Sequence, residues 1–337
     1  MKKIWILLII FLIVGGSAAW LLRDNEKDEK TSLLGEDRKF AVKDIAQVHK
    51  IFMADHKNHR TTLEKKGDHW IYNGKYEARP NAIENLLSAI EKIEVKYQPP
   101  TAAVKNMIKT LATEGIKVEI YNKKNELIKS YYVGGATMDE RGTHVIMAGA
   151  EQPYVAYIPS WSGNIRFRYN LKGDDWRQRI VFDANVENIE VLEVEYPKQR
   201  NKSYRIKKGA SAFEIEPFYD ITPRQNGDIS SGKFEQYLSH FENLSSKGFD
   251  NYNIEKDSIS ASIPFCKISL KTTGGEETQL ELFPIFPKPV YDEKLDSIVP
   301  GLGGVSNYYA LLNEEDFIVV SQLVFKKVLW SYESFFE

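Results

Sequence analysis

The densest group of side chains able to do chemistry is Asp55-His56-Lys57-Asn58-His59, with His49 and His69 close by in sequence. A zinc centre needs three or four converging ligands, each oriented by a further partner. On a strand His56 and His59 point to opposite faces, so only a helix or a tight turn brings them together. The flanking Lys57, Asn58 and Arg60 belong to a solvated loop. That favours a surface turn over a metal centre, and no metal or cofactor is expected.

Other chemistries find less support. A glycosidase needs two facing carboxylates, for which Asp174-Asp175 or Glu314-Glu315-Asp316 could be nominated. Acidic clusters before a helix more often serve its N-terminal dipole. For nucleophilic catalysis the chain has no G-x-S-x-G elbow, no Cys-His pairing signal and no S-x-x-K with its companion motifs. Gly301-Leu302-Gly303-Gly304 lacks the Lys-Ser/Thr of a phosphate loop and does not sit between a strand and a helix, so it reads as a mobile loop.

The run Trp161, Arg166, Phe167, Arg168, Tyr169 and then Trp176, Arg177, Arg179 carries more weight. Arginine and aromatic residues together are what interface hot spots use. If Ile165 to Tyr169 is a strand, Arg166 and Arg168 share one face, while Ile165, Phe167 and Tyr169 share the other. An ordinary half-buried strand is one reading and a contact surface the other. The candidate binding residues are Trp161, Arg166, Arg168, Trp176 and Arg177, with no catalytic residue among them.

The elements that must position these residues can be followed from Phe40. Ile45, Val48, Ile51 and Met53 give a strand-like start. Thr61 to Glu64 and His69 to Tyr72 flank Lys65-Lys66-Gly67-Asp68, a hairpin signal. The stretch Gly67 to Leu87 organises this half: a Trp-bearing strand runs into Arg79-Pro80-Asn81 and then an amphipathic helix. Pro80 suits the first turn, and Ile83, Leu86, Leu87, Ile90 and Ile93 form one apolar stripe that must pack on a sheet. Val104, Met107, Ile108 and Leu111 mark a second helix, with Gly115 placed to cap it. Ile116 to Ile120 and Leu127 to Val133 form a hairpin about a turn at Asn122 to Asn125, and Thr143 to Met147 pairs with Tyr154 to Ile158. Trp161 to Phe182 reads as either a short strand or helical turns.

The second half repeats this order of elements at an offset of about 150 residues. Val186 to Val194 answers Ile45 to Met53, and Phe234, Leu238, Phe241 and Leu244 answer the helix at Ile83 to Ile93. Lys267 to Leu270 with Gln279 to Phe283 answers Lys117 to Val133. Tyr308 to Leu311 is matched to Tyr154 to Ile158, and Phe317 to Leu329, of helical apolar period, to the stretch ending at Ile180. A tandem duplication is the expectation.

Lys2 and Lys3 precede Ile4 to Leu22, which carries no charge, and the solvated run Arg23 to Lys30 follows. That apolar length just spans a hydrocarbon layer of roughly 30 Å as a helix, and the positive flank sends the rest of the chain outward. A cleaved signal peptide is the competing reading, because Gly15 to Ala19 are small, but Trp20 to Leu22 continue the apolar stretch and favour an uncleaved anchor. No cysteine lies near the alternative cleavage site, which excludes a lipoprotein. The chain has 45 Lys and Arg against 47 Asp and Glu, so it lacks the global field of a nucleic-acid binder. Its single cysteine, Cys266, excludes an intrachain disulfide and reads as a buried thiol.

With 337 residues, two cores are expected. The fold class is α+β: an N-terminal transmembrane helix, then two related units of antiparallel sheet packed with helices. The divisions are 1–22 for the anchor or signal, 23–38 for a polar tether, 39–183 for the first unit and 184–337 for the second.

Trp70-Ile71-Tyr72, Arg79-Pro80-Asn81 and the later Ile116-Lys117-Val118-Glu119-Ile120, Tyr132-Val133-Gly134-Gly135 and Tyr154 to Ile158 series resembles the domain-of-unknown-function family numbered 4340. The resemblance is best over residues 40 to about 182, with the second half as a decayed copy. It implies an anchored extracytoplasmic protein, and for some members a link to auxiliary components of ABC-type transport and gliding-motility systems. Its motifs are structural, so it carries no active-site residue. The expected function is a non-catalytic binding or scaffold module of the periplasmic side of an inner membrane, contacting an envelope protein or transporter components and no nucleic acid. The alternatives are a solute- or polymer-binding accessory of an ABC-type transport system and, behind it, an envelope hydrolase.

Overall fold

The computed structural model describes residues 35–225, 227, 229–287, 290–292, 297–299 and 304–336. The apolar segment at residues 1–22, most of the polar tether and Gly301-Leu302-Gly303 lie outside the described residues. Among the described residues no helix is long and apolar enough to cross a membrane. The chain divides into two compact units between Arg177 and Gln178.

In the first unit, alternation of apolar and polar residues makes strands and left-handed turn residues connect them. The elements are β1 (Lys50–Ala54), β2 (Arg60–Lys66), β3 (His69–Tyr72), β4 (Tyr76–Glu77), α1 (Pro80–Lys92) and β5 (Glu94–Tyr97). They continue with α2 (Thr101–Glu114), β6 (Ile116–Tyr121), β7 (Leu127–Ala136), β8 (Thr143–Met147) and β9 (Tyr154–Tyr157). Asn58, Gly67 and Asn125 take φ of 62°, 61° and 61° in the β1–β2, β2–β3 and β6–β7 turns, a region Gly and Asn enter at least cost. The strands form one antiparallel sheet in the order β4-β3-β2-β1-β6-β7-β8-β9-β5.

Pro80 opens α1, whose Ala82, Ile83, Leu86, Ala89 and Ile90 are buried against the inward face of that sheet. Helix α2 crosses β7 and β8 and buries Met107 and Leu111. Gly134 on β7 makes room for it, since a Cβ there would lie 2.7 Å from Leu111 Cδ2. Gly115 ends α2, but by a different means from the expected left-handed cap: its φ is −68°, and a Cβ would meet the Leu111 carbonyl oxygen at 2.2 Å. Close approach, rather than handedness, requires glycine there. Order also begins inside the expected tether: Glu36–Arg38 is a 3-10 turn, and Asp37 accepts a hydrogen bond from Tyr154 Oη at 2.9 Å.

The second unit contains β10 (Ile180–Phe182), β11 (Ile189–Glu195), β12 (Tyr204–Lys208), β13 (Phe213–Pro217), α3 (Ser231–Leu238), β14 (Leu244–Ser245) and β15 (Gly248–Phe249). After these come α4 (Lys256–Ser260), β16 (Cys266–Thr272), β17 (Glu277–Ile285), β18 (Val290–Asp292), β19 (Ser297–Val299), β20 (Asn307–Leu312), β21 (Asp316–Ser321) and α5 (Gln322–Phe325). Its main sheet runs β13-β12-β11-β16-β17-β20-β21-β15, and β10 with β14 and β18 with β19 form two-stranded pairs. Replacing β1, β2, β3, β6, β7, β8, β9 and β5 by β11, β12, β13, β16, β17, β20, β21 and β15 converts the first order into the second. The first unit adds only the edge strand β4.

Two sequence expectations change, and one left open between a strand and helical turns is decided. Phe317 to Leu329 is not one helix: β21 is a strand, and the helix after it is a single turn. Phe317, Ile318 and Val320 are all buried, and a short strand covered on both faces imitates a helical apolar period. Tyr308 to Leu311, in β20, therefore holds the place of β8, while β21 holds the place of β9. Between Trp161 and Phe182, the two 3-10 turns Arg166–Arg168 and Gly173–Trp176 precede β10, so Ile165 to Tyr169 is a turn and not a strand.

Candidate functional site

The segment after β9 carries all five residues singled out by the sequence, and the structure separates them into two groups. Ile165 and Tyr169 bracket the first 3-10 turn and both enter the core. The Ile165 amide donates to buried Thr143 Oγ1 at 2.9 Å, and Tyr169 Oη meets Tyr131 Oη at 3.2 Å. With both ends held, Phe167 between them is exposed, while Arg166 and Arg168 are half-buried. On a strand Phe167 would have joined Ile165 and Tyr169 inside, but on this turn it is 49% exposed.

Trp161, Phe167 and Arg168 then come together. The Trp161 and Phe167 rings are 5.7 Å apart, and the Arg168 guanidinium carbon lies 4.8 Å from the first and 5.5 Å from the second. Trp161 keeps 42% exposure. Gly163 beside it takes φ 134°, a region that favours glycine, although a Cβ there would meet Trp161 Nε1 at an ordinary 3.4 Å. Arg168 Nη1 donates to the Asn85 carbonyl of α1 at 3.1 Å, so the cation is held by a helix backbone rather than by a carboxylate. A guanidinium stacked on aromatics is attracted by their ring quadrupoles and presents flat apolar area, while Arg168 Nε is buried with no hydrogen-bond partner among the described residues. This arrangement can grip a partner through rigid aromatic area and charge-assisted hydrogen bonds.

Arg166 points elsewhere. Its Nη1 donates to the Val133 carbonyl at 3.1 Å and its Nη2 to the Glu114 carbonyl at 2.7 Å, tying the end of α2 to β7. Trp176 and Arg177 are corrected as contact residues, because both are buried. Trp176 is fully enclosed, its Nε1 donates to the Leu171 carbonyl at 2.9 Å, and its own carbonyl accepts from the Arg79 amide at 2.8 Å, just before α1. Arg177 lies 3.7 Å above the Tyr76 ring, and its Nη1 donates to Asp174 Oδ1 at 3.2 Å. Composition alone does not distinguish an aromatic-arginine lock inside a unit from one on its surface. Phe167 was missed for the related reason that strand alternation was applied to a turn.

The histidines do not converge. Among the described residues no group of three or more His, Cys, Asp or Glu is placed to hold a metal. Residues 55–59 form the β1–β2 turn, in which the Asp55 amide donates to the His59 carbonyl at 3.1 Å. His69 lies beside Glu77 at 3.3 Å, and His49 Nδ1 lies 3.1 Å from the Gln47 carbonyl. Asp55 accepts from His59 Nδ1 at 2.9 Å, from Lys172 Nζ at 2.9 Å and from the Lys57 and His59 amides. Burial alone would push this carboxyl up, but the hydrogen bonds from His59 and Lys172 outweigh it and hold it well below the usual carboxylate range.

A carboxyl whose folded pKa is depressed contributes stability above its unfolded value, and loses it as pH falls toward the folded one. Asp55→Asn is therefore expected to lower the melting temperature at neutral pH, and the gap from wild type should narrow on acidification below about pH 4. Thermal unfolding of both proteins across that range checks this. A gap of unchanged size at the acid end would show that Asp55 acts through shape alone.

The acidic clusters have local roles. Asp174 and Asp175 occupy the first turn of a 3-10 helix, where Asp174 accepts from Arg177. Glu314-Glu315-Asp316 does not precede a helix but closes the β20–β21 hairpin, with Asn313 and Glu314 at φ 51° and 59°. Burial pushes the Cys266 thiol up, which disfavours the reactive thiolate.

Comparison with known proteins gives one match. A family model described as a domain of unknown function (DUF4340) matches residues 71–259, from β3 of the first unit to α4 of the second. The match therefore starts later than the region of best resemblance and continues through much of the second unit. No curated protein and no solved structure matches the chain. The matched span exceeds half of the 337 residues, and it is on this ground that the chain belongs to the DUF4340 family.

Proposed function

We propose that the protein is a non-catalytic binding module, held at a membrane by its N-terminal segment, whose first unit engages an envelope protein through Trp161, Phe167 and Arg168. The observation that carries this reading is the stack of one half-buried guanidinium on two exposed aromatic rings, fixed to α1 through the Asn85 carbonyl. Such residues dominate interface energetics, because they bring large rigid area at low entropic cost. The anchoring part rests on the uncharged run Ile4 to Leu22 behind Lys2 and Lys3. We also propose that the two units arose by tandem duplication, supported by their shared strand order and by a 3-10 turn before the first strand of each main sheet, at Ile45–Gln47 and Val186–Asn188. An experimental structure in which the equivalent strands fail to superpose in that order would remove the duplication.

The test of function is co-purification of the full-length protein from its native membrane in mild detergent, beside Trp161→Ala and Arg168→Ala. Loss of a hot-spot residue costs about 2 kcal/mol or more, roughly thirtyfold in affinity, so the partner should disappear from both variants. Thermal stability of Trp161→Ala should change little, because Trp161 is already 42% exposed. Recovery of transporter components with the wild type would make the module an accessory of that transporter. The same partners at the same yield from both variants would sink the assigned surface.

A further inference from the structure

In the first unit α2, fourteen residues long, covers β7 and β8 on the sheet face opposite α1. The corresponding helix of the second unit, α4, has five residues. Registers fix the equivalent positions beneath it. Ile116 pairs with Val133 and Cys266 with Leu282, so Gly134 corresponds to Phe283. Val133 pairs with Val145 and Leu282 with Ala310, so His144 corresponds to Tyr309. Where the first unit has Gly134 and the His144 imidazole, the second has two aromatic rings and almost no helix.

The shortened helix leaves an open groove of about 700 Å³ over β17 and β20, within the size range of binding sites. Phe283, 3% exposed, and half-buried Tyr309 lie at its base, Phe265 and Ile259 line it, and Ile263 and Phe286 are 63% and 70% exposed at its rim. Lys198, after β11, and Glu255, before α4, add one exposed charge of each sign to the lining. A bare alkyl chain has nothing to offer that pair. A peptide with one acidic and one basic residue beside an apolar stripe complements it.

We infer that this groove receives an amphipathic α-helix of a partner protein, which supplies in trans the cover that α2 supplies within the first unit. The recognised chemistry is a helix with apolar residues at i, i+3 or i+4 and i+7, flanked by opposite charges. Because the Phe283 ring already fills the position where Gly134 lies bare and is itself buried, the occupant rests on Tyr309, Ile263 and Phe286. The inference uses none of the first unit's contact residues.

The experiment is a display selection of random peptides of about four helical turns against the full chain, with binding of the enriched peptides then measured in solution. Enriched peptides should become helical on binding and should weaken at least roughly tenfold on Ile263→Glu and on Phe286→Glu, but not on Leu323→Glu, another exposed apolar site outside the groove lining. Ile263 and Phe286 are exposed, so both charge substitutions leave the core intact. No enrichment, peptides that bind extended, or affinities indifferent to both groove variants would overturn the inference. So would a groove that refuses every peptide yet takes up lauric acid in a manner lost on Ile263→Glu, which would mark it as an acyl-chain site. Success or failure of the Trp161 and Arg168 variants bears on the first unit's surface alone.

Discussion

Trp176→Ala should be among the most destabilising single substitutions in the first unit, costing about 3–5 kcal/mol. The indole is fully enclosed, and it is among the largest of the wholly buried side chains. Its removal leaves a cavity within the core of that unit, and it strands the Leu171 carbonyl that Nε1 now satisfies. The Trp176 carbonyl also receives the Arg79 amide at the entry to α1, a backbone bond that the substitution leaves available. Denaturant unfolding should show a lower midpoint with an unchanged slope. Trp176→Phe should recover part of the loss by refilling volume without restoring the hydrogen bond. The contrast with Trp161→Ala separates folding from contact: at a temperature where Trp176→Ala remains folded it should still recover the membrane partner, whereas Trp161→Ala should be stable and fail to. A cost below about 1 kcal/mol would mean that the site collapses around the missing ring, contrary to the close packing of interiors.

The parts of the fold that sequence reasoning reached were those with short-range physical signals. The β2–β3 and β6–β7 hairpins are announced by Gly67 and Asn125 at left-handed positions between alternating runs. Helix α1 is announced by Pro80 and a stripe with helical spacing. What escaped depended on contacts made at a distance. Ile165 and Tyr169 have the right parity for one strand face, and only Thr143 and Tyr131 turn the segment into a 3-10 bend that exposes Phe167. Arg177 and Arg168 look alike in sequence, each near a tryptophan, yet Tyr76 encloses one and the other stays in the surface stack. The groove was illegible because it is an absence: a helix reduced from fourteen residues to five shows only against the first unit as a template.

Phe335→Ala should destabilise the second unit by about 3–5 kcal/mol, although it stands at position 335 of 337. Its ring sits 5.0 Å from Tyr204 on β12, 5.1 Å from Tyr237 and 5.9 Å from Phe234 on α3, and 5.3 Å from Trp330. Aromatic pairs of this kind add about 0.5–1.5 kcal/mol each to the area they bury. They also shield a buried chain of hydroxyls: Tyr204 meets Tyr237, whose Oη donates to the Val328 carbonyl at 2.8 Å. The terminal turn Tyr332–Phe335 is thus a wedge between sheet and helix, not a frayed end. Cys266 gives a direct readout, since it is the chain's single cysteine and lies wholly inside the same core. If labelling of the thiol requires that core to open, a loss of 3–5 kcal/mol accelerates it by roughly two to three and a half powers of ten under native conditions. Phe286→Ala, at an exposed ring of the same unit, should leave the labelling rate within about fivefold of wild type. An unchanged rate in Phe335→Ala would mean that Cys266 is reached by a local opening of β16 that leaves the aromatic wedge in place, and the wedge would then not govern the stability of the core.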